Sequence, residues 1–398
     1  MKYRFVKFEA VKAPEFQIDK KTEMVRYGKD NKYPNYLLDL STKTGLHTAI
    51  LNAKKLYILG NGLSYEGNDK STEAFLLNPN PYESMNDIFE KCTVDLEIFG
   101  GFALECIWSR DKKSVAEIYH IPFQNIRATK QNRNNIVEKY LYHQNWTEYT
   151  RINETIEFPR FGDSDKSKNQ LLYTKQYTAT NQYYPIPEYV GSIEDINTLS
   201  EISSFHNSCI KNNFNPGLMI IFRGPMPSPE EQDAIIEGLE EKYQGSNNAG
   251  TPAVFFLPEN QEKPTIEQMS VSDLDKQYET LTAAMKENVV LGHQIPRIIA
   301  GIEKEGSLGG GKEYVDAELI FKNKYVIQHQ NIILNALNKI MSVNGLSELY
   351  VKNLNTNILL YSDTLIEKVL TNQEIRMLFG YDDLPSEDNE KNNENIDE

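Results

Sequence analysis

SIEDINTLSEISSFHNSCIKN (residues 192–212) and SDLDKQYETLTAAMKENVVL (residues 272–291) are two stretches built on the same pattern. In the first, Ile193, Ile196, Leu199, Ile202, His206, Cys209 and Ile210 recur at three- and four-residue steps. In the second, Leu274, Tyr278, Leu281, Met285 and Val289 do the same. This spacing predicts two helices, each with one narrow apolar stripe and a wide polar remainder. Ser192 stands where an N-cap would close the first helix, which at 1.5 Å per residue is about 33 Å long. A long helix with so narrow a stripe buries it only by lying beside neighbours.

The residues between the two helices read as a small β-α-β unit: a strand at 218–223, a helix at 229–243 and a strand at 252–257. The helix start is well marked. Ser228 is placed to cap it, Pro229 suits the first turn, Glu231 completes a capping box and Gly245 suits the stop. After the second long helix comes Pro296, then a glycine-rich run at 301–311 and a third helix at 313–341 carrying Ala317, Ile320, Phe321, Ile327, Leu334, Leu337 and Met341.

Upstream, residues 44–59 read as a helix stopped by Gly60, Asn61 and Gly62. DLEIFGGFALECIW (residues 95–108) reads as a helix end running through Gly100 and Gly101 into a strand, with a second strand from Ser114. Residues 130–185 are rich in tyrosine. Stacking platforms for single-stranded nucleic acid would need accompanying cations, which are sparse here, so the expectation is a solvent-lapped β-meander. Residues 349–361 predict one or two strands and 372–378 a short helix, and from about 386 the composition predicts disorder.

The chain has 398 residues, 39% hydrophobic and 25% charged, enough for one extended or two compact domains. No run approaches the length of a membrane-spanning helix, and MKYRFVKFEAVK at the start lacks the apolar block of a signal peptide. Cys92, Cys106 and Cys209 form no metal or disulfide pattern, and His47, His120, His143, His206, His293 and His329 are scattered without ligand spacing. No metal, cofactor or catalytic residue is expected. Net charge is −15, and residues 382–398 alone hold eight acids against one lysine. A protein that grips phosphates clusters its cations, so any contact with DNA should be loose and non-specific.

One run imitates a phosphate loop: Gly306, Ser307, Leu308, Gly309, Gly310, Gly311 and Lys312 have the spacing G-x-x-x-x-G-K. That chemistry needs a hydroxyl after the lysine to hold Mg²⁺, and Glu313 would set a carboxylate against the phosphates instead. Residues 302–305 also lack the apolar strand that delivers such a loop. The same run reads either as a segment touching a moving polyanion, with Lys304 and Lys312 as its contacts, or as an ordinary helix-helix connector. A P-loop-like nucleotide hydrolase using Gly306 to Lys312 is the alternative reading of function.

The run YPIPEYVGSIEDINTLSEISSFHNSCIKNNFNPGLMI (184–220) resembles the stem entry of the tailed-bacteriophage portal protein family. GPMPSPEEQDAIIEGLEEKYQGSNNAGTPAVFF (224–256) is similar to that family's clip, and Gln294-Ile295-Pro296 resembles its Val-Pro-Pro step after the second stem helix. DLEIFGGFALECIW resembles a helix-strand element of the wing, and TNQEIRMLFGYDDLP (371–385) a late family signature. Two departures stand out. Arg297, Ile298, Ile299 and Ala300 replace the Leu-Gly that often follows the Pro-Pro step, and few residues follow the third helix, which leaves little for a crown.

The resemblance implies an α+β subunit: wing at 1–190, first stem helix at 191–214, β-α-β clip at 215–266, second stem helix at 267–293, tunnel loop at 294–313, long helix and wing strands at 314–361, and a short crown-like segment with acidic tail at 362–398. It implies a non-enzymatic ring, typically of twelve copies, at the portal vertex of a virion capsid and in the host cytoplasm during assembly. The implied partners are the terminase large subunit, major capsid and scaffold proteins, a head-tail adaptor and non-specific double-stranded DNA, with no membrane. Lys304, Gly306, Gly309, Gly310, Gly311 and Lys312 are the candidate channel loop, and Pro227, Ser228, Glu231 and Asn248 the candidate docking residues of the clip.

Overall fold

The computed structural model describes residues 16–19, 23–146, 155–179, 182–211, 219–223, 253–257, 271–302 and 311–352, with single positions at 228, 234 and 371. The first described helices are α1 (Tyr33–Ser41), which carries a proline in its first turn, and α2 (Gly45–Leu59). The Thr44 hydroxyl accepts from the His47 amide to cap α2, and Gly60, at φ 53°, ends it. Both bounds follow the sequence reading. Short β1 (Leu63–Tyr65) and α3 (Lys70–Leu77) lead to α4 (Met85–Phe99). Ser84 and Asp87 close a capping box at the start of α4, satisfying two amides that would otherwise lack partners.

Gly100 ends α4 in the left-handed region at φ 81°, and the chain turns directly into β2 (Gly101–Trp108). This is the helix end running into a strand that 95–108 predicts. β2 is the middle of an antiparallel sheet, between β3 (Val115–Ile121) and β7 (Gln170–Lys175). A second antiparallel sheet orders β4 (Ile126–Ala128), β5 (Lys139–Tyr142) and β6 (Ile156–Pro159) as a meander. The core forms where α4 lies on β2: Met85, Ile88, Phe89, Cys92, Phe99, Phe102 and Leu104 are all closed to solvent. Burial pushes the Cys92 and Cys106 thiols up, so both are unreactive packing groups.

The meander is present, but its solvent-lapped character is corrected. Tyr140 and Tyr184 are buried, and Tyr173 stacks on Tyr140 at 4.7 Å and on Phe123 at 5.4 Å. These rings form an internal seam because the meander folds back onto the first sheet, leaving Tyr177 outside at 88% exposure. Arg127, fully buried beside the seam, places its guanidinium nitrogens on the Asn31 side-chain and main-chain oxygens and on the carbonyls of Gln124 and Ile126. These uncharged oxygens take the place of water around the cation, and burial lowers its pKa to about 10.

A 3₁₀ turn (Glu188–Ser192) carries the chain out into α5 (Ile193–Lys211). Next are β8 (Met219–Arg223) and β9 (Ala253–Leu257), then α6 (Val271–Gly292). β8 and β9 pair in parallel, which requires a crossover between them, as the β-α-β reading does. Of the crossover, Ala234 is helical and Ser228 is exposed; Pro227, Glu231 and Asn248 lie outside the described residues.

The last long helix runs as α7 (Gly311–Phe321), a π-helical turn (Lys322–Val326) and α8 (Ile327–Asn344), roughly 50 Å in all. It starts at Gly311 rather than at 313. The π turn inserts an extra residue and so rotates the buried face relative to a plain 3.6-residue repeat. Tyr325, Val326, His329, Ile333, Ala336, Leu337, Ile340 and Met341 therefore point inward, and Ile320, expected inside, is outside at 51% exposure. β10 (Leu349–Val351) then pairs antiparallel with β1, closing the C-terminal helix onto the N-terminal body. The rest of 349–361, the helix expected at 372–378 and the disorder expected from 386 fall outside the described residues.

At Gly101 a Cβ would meet the Thr174 carbonyl oxygen at 2.7 Å, across the β2–β7 pair. Gly101→Ala should therefore lower the unfolding free energy by about 2 kcal/mol or more, measured by chemical denaturation. Wild-type stability in the variant would contradict the pairing of β2 with β7 in this register.

Candidate functional site

α5 and α6 lie antiparallel, the start of one against the end of the other. Ile193, Ile196, Leu199 and Ile202 of α5, with Val289 and Val290 of α6, are buried along their junction and against the body. Each such side chain contributes roughly 1.5–3 kcal/mol. The sequence stripe is thus real at the end near the body. Farther out, among the described side chains, Leu281 is 40% exposed and His206 is open to solvent. Exposed positions on the rods include Glu194, Glu201 and Asn207. A cleft of about 800 Å³ lies between the rods and the α1–α2 turn, lined by Lys43, Leu199, Ile202, His206, Lys286 and Arg297 among others.

The roots of the rods are fastened by polar contacts. Ser192 does not close its own helix as expected. It sits at the end of the 3₁₀ turn, and its hydroxyl donates to the Asn288 carbonyl of α6 at 2.9 Å, while the Asn288 amide donates to Asp195 at 3.1 Å. Gly292 lies so close that a Cβ there would fall 1.8 Å from Ser192 Oγ. One residue on, His293 is fully buried, with Nε2 2.8 Å from His47 Nδ1 on α2, and its ring stacks on Tyr189 at 4.9 Å. One ring must donate and the other accept. Their outer nitrogens, His47 Nε2 and His293 Nδ1, are buried without partners. Burial lowers the His47 pKa to about 4 and holds His293 well below the usual range, with Lys54 adding to both effects.

A second buried cluster joins α2, α4 and the π turn. The Lys54 ammonium donates to the Tyr325 hydroxyl at 2.7 Å and lies 3.3 Å from Glu97 Oε2, to which Tyr325 donates at 2.8 Å. His329 stacks on Tyr325 at 3.9 Å and approaches Glu188 at 3.4 Å, whereas Glu97 Oε1 has no hydrogen-bond partner. Burial opposes charge on His329, but the Glu188 hydrogen bond and the Glu97 and Glu188 charges outweigh it and raise its pKa. Burial likewise lowers Lys54, against the pull of Glu97. The π turn is what lets Tyr325 reach this cluster.

None of these groups stands out for chemistry in the sequence, where the histidines look isolated. A signal was there: Lys54 stands four residues from both Ile50 and Ile58, and His329 four from Tyr325 and Ile333, so each is a polar residue on a buried stripe. Among the described residues no group of His, Cys, Asp or Glu has the arrangement to hold a metal ion. No described helix is long and apolar enough to cross a membrane.

Of the candidate loop, Lys304, Gly306, Gly309 and Gly310 lie outside the described residues. Gly311 and Lys312 belong to the first turn of α7 rather than to a loop. Before the run, Arg297 to Gly301 form turns and Ile302 is irregular, so no described residue there belongs to a delivering strand.

An antiparallel rod pair bearing a parallel two-stranded insert, rooted in an α+β body, has counterparts among solved structures. The virion of a native gene transfer agent particle contains a chain matching at TM-score 0.56 and 17% identity, over 88% of this chain and 94% of that one. The neck of the empty particle, computed with C6 symmetry, matches at 0.57 and 16%, over 87% and 94%. The native neck, computed with C12 symmetry, matches at 0.53 and 18%, over 88% and 95%. An uncharacterized protein of Rickettsia bellii (strain RML369-C) is 22% identical over 241 residues, 60% of this chain and 57% of that protein. These likenesses define a class of fold found in particle necks. The profile described as phage portal protein matches residues 51–380, and the chain belongs to that family.

Two measurements test the buried groups. Removing one partner of a buried ion pair strands the other, so Lys54→Met should cost about 3–5 kcal/mol and Lys54→Met with Glu97→Leu distinctly less, read from denaturation midpoints. Equal losses would place the pair in solvent. The His47 and His293 pKa values are depressed on folding, so their stabilisation is complete above the unfolded value of 6.5 and is lost as pH falls toward 4. His329, raised on folding, acts oppositely and loses its contribution as pH rises through its folded value. The thermal midpoint should fall below about pH 6.5, and His47→Asn with His293→Asn should flatten that slope; an unchanged slope would contradict the assignment.

Proposed function

We propose that this chain is the subunit of a ring-shaped channel at one capsid vertex, through which a genome is packaged and later ejected. The observation that carries this reading is the rod pair: two helices whose shared stripe, among the described residues, is buried near the body, with a small insert between them in sequence, in a chain of the phage portal protein family. Rods of this kind bury their remaining apolar surface, such as Leu281 and Leu291, against copies of themselves. The necks that resemble this chain were computed with six- and twelvefold symmetry, which supports a cyclic homo-oligomer, and we take twelve as the copy number.

In this reading α5 and α6 are the stem, residues 215–266 the clip, residues 294–313 the tunnel loop, and the body with α7, α8 and β10 the wing. The clip, with Pro227, Ser228, Glu231 and Asn248, meets the terminase large subunit and later a head-tail adaptor, and the wing meets the major capsid and scaffold proteins. The channel acts by shape and charge. An acidic wall repels a polyanion and keeps its contacts weak, and Lys304 and Lys312 supply loose, sequence-independent contact with double-stranded DNA at the narrowest point. No catalytic group is required, because the energy of translocation comes from the docked motor.

Removing the coding sequence from its native genome should yield particles without DNA, and supplying the full chain should restore them. DNA-filled particles in its absence would contradict the proposal. Lys304→Ala with Lys312→Ala should reduce DNA retention several-fold while leaving assembly intact, and unchanged retention would remove these lysines from the channel. ATP hydrolysis by the purified chain, abolished by Lys312→Ala, would instead support the nucleotide hydrolase.

A further inference from the structure

The outer ends of two adjacent loops form a basic tip on a chain whose net charge is −15. Ser109 to Ser114, joining β2 to β3, holds Arg110, Lys112 and Lys113, and the loop before β7 holds Lys166 and Lys168. The Lys166 ammonium donates to the Lys112 carbonyl at 3.0 Å and ties the loops together. It also sits 3.9 Å from the centre of the Trp108 ring, which stacks on Phe161 at 5.9 Å. The cations therefore stand on a fixed aromatic floor.

The acids within the tip take part in its turn hydrogen bonds. Asp111 accepts from the Ser109 hydroxyl at 2.6 Å and from the Lys113 amide at 3.2 Å, Asp163 from the Asp165 amide at 2.8 Å, and Asp165 from the Ser167 amide at 2.9 Å. Asp165 feels the charges of Lys112 and Lys168. Even so, among the described residues none of the five cations has a carboxylate within 4.0 Å, and Arg110, Lys112, Lys113 and Lys168 are exposed.

We infer that this tip is the docking surface for the acidic segment of the same polypeptide, residues 382–398. Charge complementarity is the first argument: the five cations of the tip outnumber its three acids, Asp111, Asp163 and Asp165, and the segment holds eight carboxylates against one ammonium. Position is the second. Asn344, the last residue of α8, is bonded in both directions to Val115 at the base of the β2–β3 hairpin, at 2.7 and 3.0 Å. Eight residues later, Lys352, bonded to Asn61 and Gly62, is where the run from 353 sets out. Residues 353–381 can span up to ~100 Å when extended, at about 3.4 Å each. Docking would hold a strongly acidic segment on the outside of the body, where it neutralises the tip. It would also keep those carboxylates from competing with DNA for the loose basic contacts of the channel.

Zero-length carbodiimide coupling of the purified full chain, read by peptide mass spectrometry, tests this. The observed pairs Lys139–Glu157, at 2.8 Å, and Lys55–Glu90, at 3.0 Å, serve as internal controls. The expected result is cross-links from Lys112, Lys113 or Lys168 to Glu387, Asp388, Glu390 or Glu394, falling several-fold at about 0.5 M salt. In a mixture of ¹⁴N- and ¹⁵N-labelled protein they should join peptides of one label. Control cross-links without any from the tip to residues 382–398 would overturn the inference, as would links only between differently labelled chains. Tip lysines shielded from acetylation only when heparin is added would point to an external polyanion and would equally overturn it.

Discussion

Everything outside the body depends on the close approach of α5 and α6 at their roots. Gly292 leaves no room for a side chain beside Ser192, and the Ser192 hydroxyl is committed to the Asn288 carbonyl, so the two rods cannot slide past one another. His293 then anchors the end of α6 to His47 and Tyr189 inside the body. The consequence is mechanical. A helix pair fixed at one end, with the described part of its stripe buried near that end, projects its remaining length outward, and its exposed polar positions and Leu291, 68% exposed, are left for neighbours. The insert carried at the far end inherits its position from that fixed root.

The body that holds the root is stiffened by polar groups as much as by packing. Lys54, Glu97, Tyr325 and His329 join α2, α4 and the last long helix in one buried network, and the π turn lies where the network needs an aromatic hydroxyl. Buried ion pairs add little net stability over a hydrophobic replacement, because desolvation offsets their attraction. Their effect here is positional: only one register of the long helix presents Tyr325 and His329 together. A wing built on this register would hold the stem at one angle in every subunit, as closure of a ring demands.

Much of this was legible in the residues. The α2 cap and stop, the Gly100–Gly101 turn from helix to strand, both rods, and the parallel pair of strands between them follow from periodicity and turn chemistry that local sequence carries. What was not legible depends on tertiary contact. Ser192 has the chemistry of a cap, but the neighbouring rod takes its hydroxyl. The tyrosines of 130–185 have strand propensity, and only folding back of the meander makes Tyr140 and Tyr173 interior. Ile320 fits a 3.6-residue stripe, and the π turn that opens just after it, at Lys322, cannot be read from spacing. Histidines more than two hundred positions apart, such as His47 and His293, meet through the fold alone.

In the proposed ring, the rods complete their burial by side-by-side assembly around a hollow axis. Electron microscopy of the purified full-length chain measures this most directly. Closed rings with a central opening and a fixed number of copies are the expected result. A stable monomer at high concentration, with both rods folded against its own body, would contradict it.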